Sequence, residues 1–146
     1  MCDLEYFSFD VDKFFREYKD KQTRLKFLKT KYNAIPFSSS LDYETPKVSG
    51  GMPTSGVENK AERREKLEKE IQRLESYFAL CDRILENLEH ENQVIIKEYF
   101  IKGRKSRADV DFLADELYCS KSTFYRKVRE ARVAVKDFMR EAGRGE

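Results

Sequence analysis

The sequence predicts an all-α protein, in which an N-terminal helix and a long coiled-coil-like helix lead into a C-terminal domain of shorter helices. Two observations lead to this prediction. Apolar residues recur at helical spacings of three and four along most of the chain. The three prolines, which would interrupt such helices, all fall in the short stretch from Pro36 to Pro53.

The first predicted element is a helix within residues 1–33. Asp10 or Asp12 can cap its start. Its apolar stripe over residues 10–32 is interrupted by Lys21 and consists of Phe14, Tyr18, Leu25, Leu28 and Tyr32. The following residues, 34–56, are rich in serine, glycine and proline and have no periodicity, which predicts a flexible linker.

Residues 57–89 are predicted to form one long helix with a heptad seam. With Val57 at position a, the a series is Val57, Arg64, Ile71, Phe78 and Leu85, and the d series is Lys60, Leu67, Leu74, Cys81 and Leu88. From Leu67 onward every one of these positions is apolar, as in a coiled coil. Such a seam needs a partner. The partner is the first helix folded back antiparallel or the same segment, residues 57–88, of a second subunit in a homodimer, and a dimer allows both.

Residues 90–140 are predicted to form a C-terminal domain, followed by a disordered tail at 141–146. The domain begins with a helix over 90–102 that is too apolar for the protein surface and that Gly103 ends as a C-cap. A basic loop, Lys102–Arg107, comes next.

Two short helices joined by a tight turn are predicted within residues 109–132. The small side chain of Ala114, in the first helix, allows the second to cross it closely. The turn is Tyr118-Cys119, and Ser120 is placed to cap the second helix. This pattern is typical of a DNA-binding helix-turn-helix, whose second helix enters the major groove.

The second of these helices has an apolar face and a cationic face. The residues expected to face the core are Phe124, Val128, Ala131 and Val135. Because the first residues of such a helix reach base edges, the predicted base readers are Lys121, Ser122, Tyr125 and Arg126. The predicted phosphate contacts are Lys102, Arg104, Lys105, Arg107, Thr123, Lys127, Arg129 and Arg132. Net charge agrees with a phosphate-facing module, since residues 97–146 carry a net charge of +4 and the whole chain +2.

The pattern in this domain resembles the fourth region of bacterial sigma factors, which reads the −35 promoter element. The residues that carry the resemblance are Leu113-Ala114, Leu117, Ser120 with Thr123, and Ala131. Tyr118 departs from it, because that family usually has glycine in the turn. The whole layout, including the step Val94–Gly103 before the two helices, resembles small phage regulators of the ArpU/RinA type. This resemblance implies an activator of late or packaging genes in phages of Gram-positive bacteria.

The residue types give no support for catalysis or for a metal site. Cys2, Cys81 and Cys119 are far apart, and His90 is the only histidine. We therefore expect no enzyme activity, no metal and no cofactor. No apolar run approaches the roughly 20 residues that span a bilayer, and the N-terminus lacks the features of a secretory signal. The expected location is the cytoplasm of a bacterial host, at the nucleoid.

The leading functional hypothesis is a transcription regulator that binds double-stranded DNA sequence-specifically and acts with host RNA polymerase. The first alternative is a DNA-recognition subunit of a phage packaging machine, which would form a ring. The second is a helical module that binds or inhibits a host protein, and it predicts no DNA binding at any sequence.

Overall fold

In a computed structural model of the chain, residues 9–35 and 53–144 are described, and their elements are all helical. This confirms the all-α class. The helices are α1 (Val11–Arg16), α2 (Tyr18–Ala34), α3 (Pro53–Glu86), α4 (His90–Ile95), a π-helical segment (Ile96–Ile101), α5 (Arg107–Glu116) and α6 (Lys121–Arg144). Within these described ranges, no helix combines the length and apolarity that a membrane span requires.

The described residues form two compact units. The first combines residues 9–19 with residues 80–144, and the second consists of residues 20–35 and 53–79. The first unit is therefore discontinuous in sequence, because its N-terminal piece is separated from the rest by the whole second unit.

The first unit has its core between α1, the end of α3, α4, the π-helical segment, α5 and α6. Asp10 caps α1, its carboxylate accepting a hydrogen bond from the Lys13 amide at 3.1 Å. The side chains that α1 buries are Val11 and Phe15, which are 2% and 0% exposed. The remaining core residues are Cys81, Ile84, Leu88, Ile95, Ile96, Phe100, Val110, Leu113, Ala114, Phe124, Val128, Ala131 and Val135.

The predicted helix over 90–102 changes its winding halfway. The Lys102 amide donates to the Lys97 carbonyl at 3.0 Å, which is the five-residue step of a π-helix. Gly103 then ends the segment with a φ of +72°, a conformation that glycine adopts without steric cost. The C-cap predicted at this position is therefore present, but the helix before it is wider than an α-helix.

In the second unit α2 lies antiparallel on α3. The Lys21 ammonium lies over the Tyr77 ring at 5.1 Å, and the Arg64 guanidinium lies over the Tyr32 ring at 5.3 Å. The start of α2 is therefore beside the later part of α3, and the end of α2 is beside its earlier part. The buried residues at this contact are Leu28, Leu67 and Leu74. The heptad seam thus has α2 of its own chain as a partner, as in the first of the two predicted arrangements.

The heptad positions are buried unequally. The apolar d residues Leu67, Leu74, Cys81 and Leu88 are all buried, whereas the a residues Ile71, Phe78 and Leu85 are half-buried. Ile84, which belongs to neither series, is fully buried. Ile84 is buried because the last residues of α3, 80–86, pack in the first unit, where a different set of neighbours covers them.

Three element boundaries differ from the sequence-based ones. The single helix predicted over 10–32 is two helices with a turn at Glu17, because α1 and most of α2 bury their apolar side chains in different units. Helix α3 begins at Pro53, inside the predicted linker, and proline is well suited to the first position of a helix. Helix α6 continues to Arg144, where a disordered tail was predicted. The rest of the predicted linker, residues 36–52, lies outside the described residues.

Candidate nucleic-acid interface

The first of the two helices in the predicted DNA-binding segment is α5. Ser106 caps it, with the side-chain oxygen accepting a hydrogen bond from the Asp109 amide at 3.1 Å. Its inner face buries Val110, Leu113 and Ala114. The 3% exposure of Ala114 agrees with the close helix crossing that its small side chain predicts.

A tight turn at residues 117–120 joins α5 to α6. The Tyr118 amide donates to the Asp115 carbonyl and the Cys119 amide donates to the Ala114 carbonyl, both at 3.0 Å. The Ser120 side-chain oxygen accepts a hydrogen bond from the Thr123 amide at 3.2 Å, so Ser120 caps α6 as predicted. The two helices are therefore held by backbone bonds and a cap that leave little freedom in the turn.

Tyr118 adopts a left-handed backbone conformation in this turn, with a φ of 56°, and its side chain is 95% exposed. Side chains of L-residues crowd the backbone there, and asparagine tolerates the conformation better. We expect Tyr118→Asn to raise the free energy of unfolding by roughly 0.5–1 kcal/mol, because strain is relieved and almost no packing is lost. Urea unfolding followed by circular dichroism measures the change. Tyr125→Asn, within a regular helix, should lower stability instead, and equal effects at the two positions would contradict a strained turn.

Helix α6 presents opposite faces to the core and to solvent. Its four predicted inner residues, Phe124, Val128, Ala131 and Val135, are each at most 2% exposed. The Phe124 ring meets Tyr99 edge-on with ring centres 5.8 Å apart. Because these contacts fix the rotation of the helix, the opposite face must point into solvent.

The four predicted base readers all lie on this outer face at the start of α6. Lys121 pairs with Asp111 at 3.2 Å, and Arg126 approaches Glu130 at 3.6 Å. Both pairs are about half exposed, so they contribute little energy and can exchange for other partners. The Ser122 hydroxyl lies 3.2 Å from that of Ser120. Tyr125 is 40% exposed, with its ring beside Phe124.

The eight predicted phosphate contacts differ in whether their side chains already have a partner within the protein. Arg129 and Arg107 are exposed and have no side-chain partner among the described residues. Lys105 is also exposed and lies over the Tyr99 ring at 5.0 Å. The Thr123 hydroxyl accepts a hydrogen bond from Ser120 and so belongs to the helix cap. The three cations can therefore contact a phosphate directly, whereas the Thr123 hydroxyl is already used in the helix cap.

The remaining four cations are held by carboxylates of the same unit. Lys102 and Arg104 both bind Glu98, at 3.0 and 2.7 Å, and together they hold the pKa of that carboxyl below its usual range. Lys127 pairs with Glu91 at 2.7 Å, and its side chain is only 19% exposed. The Lys127–Glu91 pair joins α6 to α4, whereas Lys102 and Arg104 bind Glu98 close by in the chain; all three cations are thus engaged within the unit.

Arg132 differs most from its predicted orientation. The sequence pattern places it on the outer face, but its guanidinium binds both carboxylate oxygens of Asp12, at 2.7 and 3.1 Å, and lies over the Phe100 ring at 5.3 Å. It turns toward α1 because α1 brings a carboxylate to the flank of α6. Nothing near Arg132 in the sequence indicates this partner, which is far away along the chain.

The Asp12–Arg132 pair makes stability depend on pH. The hydrogen bonds from Arg132 hold the pKa of Asp12 below the ordinary 3.8. The stabilisation of the fold by this pair is therefore present above pH 3.8, and it is lost as pH falls through the lower pKa of folded-state Asp12. We expect Asp12→Asn to cost about 1 kcal/mol at neutral pH, a modest figure because the pair is about one-third exposed. Urea unfolding below pH 4 should show a smaller difference from wild type. Asp115→Asn, which removes an exposed carboxylate, is the control and should change little at either pH; a constant Asp12→Asn effect would contradict the assignment.

The described residues also bear on the predicted absence of catalysis. They contain no cluster of His, Cys, Asp and Glu side chains able to hold a metal ion. A cleft of about 460 Å³ lies between the end of α3 and the π-helical segment, with Tyr18, Leu85 and Ile101 among its lining residues. Burial raises the pKa of Tyr18, which disfavours the phenolate at neutral pH. The absence of enzyme activity stays a prediction.

No family model, curated protein or solved structure matches the chain at a significant level. The resemblance to sigma factors and to phage regulators therefore stays a prediction. The geometry of α5, the turn and α6 is therefore the basis for assigning a function.

Proposed function

We propose that this protein is a sequence-specific regulator of transcription that places the first two turns of α6 in the major groove of double-stranded DNA. One observation carries the proposal. The inner face of α6 is locked into the core by four buried side chains, which leaves Lys121, Tyr125 and Arg126 exposed on the opposite face. The capped turn from α5 sets the direction in which this cationic face points.

Base reading is assigned to the exposed residues at the start of α6. Arg126 suits a bidentate contact with the O6 and N7 atoms of guanine, and Lys121 suits the same acceptors as a point charge. Each must release an exposed carboxylate partner, Glu130 or Asp111, which costs little in water. Ser122 and Tyr125 complete the reading surface, Tyr125 through a thymine methyl or a phosphate.

Phosphate binding is assigned to Arg129, Lys105 and Arg107. These three cations are exposed, and among the described residues none of them has a carboxylate within ion-pair distance. Arg104, Lys127 and Arg132 are engaged within the unit, and moving them to DNA would leave Glu98, Glu91 and Asp12 without their partners. Lys102 shares Glu98 with Arg104, and the Thr123 hydroxyl is part of the α6 cap. We therefore assign these last five residues to stability.

Arg129→Ala is expected to weaken binding to all DNA sequences alike and to lower the slope of log affinity against log salt by about 1. The reason is that Arg129 neutralises one phosphate and reads no base. Fluorescence anisotropy between low and physiological salt, with one specific and one random duplex, measures this. Arg73→Ala, an exposed arginine of the second unit, should leave the slope unchanged. A loss confined to the specific duplex would show that Arg129 reads sequence instead.

The proposed setting is a phage protein in the cytoplasm of a bacterial host, where it acts with host RNA polymerase at the nucleoid. Helix α2 already covers part of the heptad seam, and a homodimer through residues 57–88 would use the half-buried a positions. A packaging subunit would instead assemble into rings. Mass in solution separates these arrangements, because a monomer or dimer agrees with the regulator and an octamer or larger ring contradicts it.

Selection of bound duplexes from a random DNA pool at physiological salt tests the function directly. The expected result is enrichment of one short motif by the wild-type chain. Enrichment of no motif, with affinity that disappears at physiological salt, would overturn sequence-specific regulation. Absence of binding even at low salt would favour a protein-binding module.

A further inference from the structure

The outer surface of α5 carries an exposed aromatic residue beside unpaired carboxylates. Phe112 is 51% exposed although the opposite face of its helix is buried in the core. Asp115 and Glu116 are three and four residues further on, so they lie beside Phe112 on the same helical face. Both are exposed and have no side-chain partner among the described residues. At the end of the helix stands Tyr118, with 95% exposure.

This surface is unsuited to DNA. Two uncompensated carboxylates repel the phosphate backbone, whereas the adjacent α6 face presents cations. The α5 residue nearest to the proposed reading residues, Asp111, is already paired with Lys121. The unit therefore has an acidic aromatic surface on α5 and a basic surface on α6, which favour ligands of opposite charge.

We propose that the α5 surface formed by Phe112, Asp115 and Glu116 docks a protein whose contact surface places lysine or arginine side chains around an apolar centre. Charge complementarity argues for this partner, because the two carboxylates lie one helical turn from the exposed ring. The Arg104 guanidinium lies over the Phe112 ring at 5.1 Å, so this ring already accepts one cation and its exposed part can accept a second. The inference rests on the proposed function, in which the DNA-bound chain recruits a component of the transcription machinery.

Site-specific photocrosslinking tests the docking surface. Phe112→benzoylphenylalanine is irradiated in the full chain with purified bacterial RNA polymerase holoenzyme as the probe, with and without DNA. The expected product joins position 112 to a polymerase peptide rich in lysine and arginine. Val133→benzoylphenylalanine is the matched control, since Val133 is an apolar residue of α6 with 56% exposure, and it should give no such product.

Charge variants show whether the carboxylates guide the contact. Asp115→Lys combined with Glu116→Lys is expected to reduce the crosslink at least roughly tenfold, and Asp115→Asn with Glu116→Gln should have an intermediate effect. Circular dichroism of each variant verifies folding. If the double lysine variant does not fold, the comparison of crosslink yield uses the neutral variant, Asp115→Asn with Glu116→Gln. The proposal is overturned if position 112 gives no crosslink or crosslinks to a second copy of the chain. It is also overturned if position 133 gives an equal yield, or if the charge variants leave the yield unchanged.

The two proposals fail in different ways. DNA affinity of every variant is measured in parallel, and the α5 substitutions should leave it intact or slightly higher because negative charge is removed. A chain that crosslinks without DNA but binds no duplex would retain the docking surface and refute the DNA-binding function. A chain that binds DNA normally but does not crosslink would refute only the docking surface.

Discussion

Phe15→Ala is expected to lower the free energy of unfolding by about 3–5 kcal/mol. Phe15 lies on α1, yet it is fully buried in the unit that otherwise consists of residues 80–144. The substitution removes apolar contacts and leaves a cavity that a packed core fills only in part. Since small proteins are stable by about 5–15 kcal/mol, a loss of this size brings the unit close to unfolding.

Phe27→Ala is the matched control, because it removes the same ring from α2 at a site with 56% exposure. Its expected cost is below about 1 kcal/mol. The chain has no tryptophan, so unfolding in urea is best followed by far-ultraviolet circular dichroism. If Phe15→Ala prevents folding altogether, Phe15→Leu gives a measurable intermediate. Equal effects of the two alanine variants would mean that α1 is not part of this core.

Arg126→Ala is expected to cost about 1–3 kcal/mol of specific DNA binding and to relax base preference at one position of the site. The outer face of α6 places this guanidinium where a bidentate contact with guanine is possible, and its only partner among the described residues is the exposed Glu130. Selection from a random pool with the variant and the wild type gives the preference at each position, and titration gives the affinity.

Arg126→Lys sharpens this test, because it keeps the charge and removes the planar pair of donors. It should retain most of the affinity for random duplexes while losing preference at the same position. Arg73→Ala should match wild type in both measurements. A selected motif that is unchanged in Arg126→Ala would remove this residue from the reading surface and leave the assignment to Lys121 and Tyr125.

The features of the fold that could be predicted from the sequence are those encoded by neighbouring residues. The inner face of α6 follows from the spacing of Phe124, Val128, Ala131 and Val135, and the Ser120 cap follows from one residue type before a helix. The d series of α3 follows from the heptad repeat. In each case the residues that carry the pattern lie within a few positions of one another. The local sequence is therefore sufficient to predict which side chains are buried and where the helix starts.

The features that could not be predicted depend on residues distant in the chain. Arg132 was expected on the outer face because its helical position is outward, but Asp12 binds it from α1. The burial of Ile84, outside the heptad series, likewise follows from packing in the first unit. The π-helical segment has no sequence signal that we can name. For the candidate interface, the helical pattern identified the exposed start of α6, but it could not separate free cations from those held by carboxylates.

The insertion of α1 into the first unit has a consequence for how the chain folds. Val11 and Phe15 are synthesised more than a hundred residues before Phe124 and Val128, which are buried in the same unit. The unit can close only after α6 is synthesised, and such long-range closure slows folding. The contacts between α2 and α3 join residues that are closer in the chain, such as Tyr32 and Arg64, so these two helices can pair first. The cationic face of α6 therefore gains its fixed orientation in one of the last steps of folding.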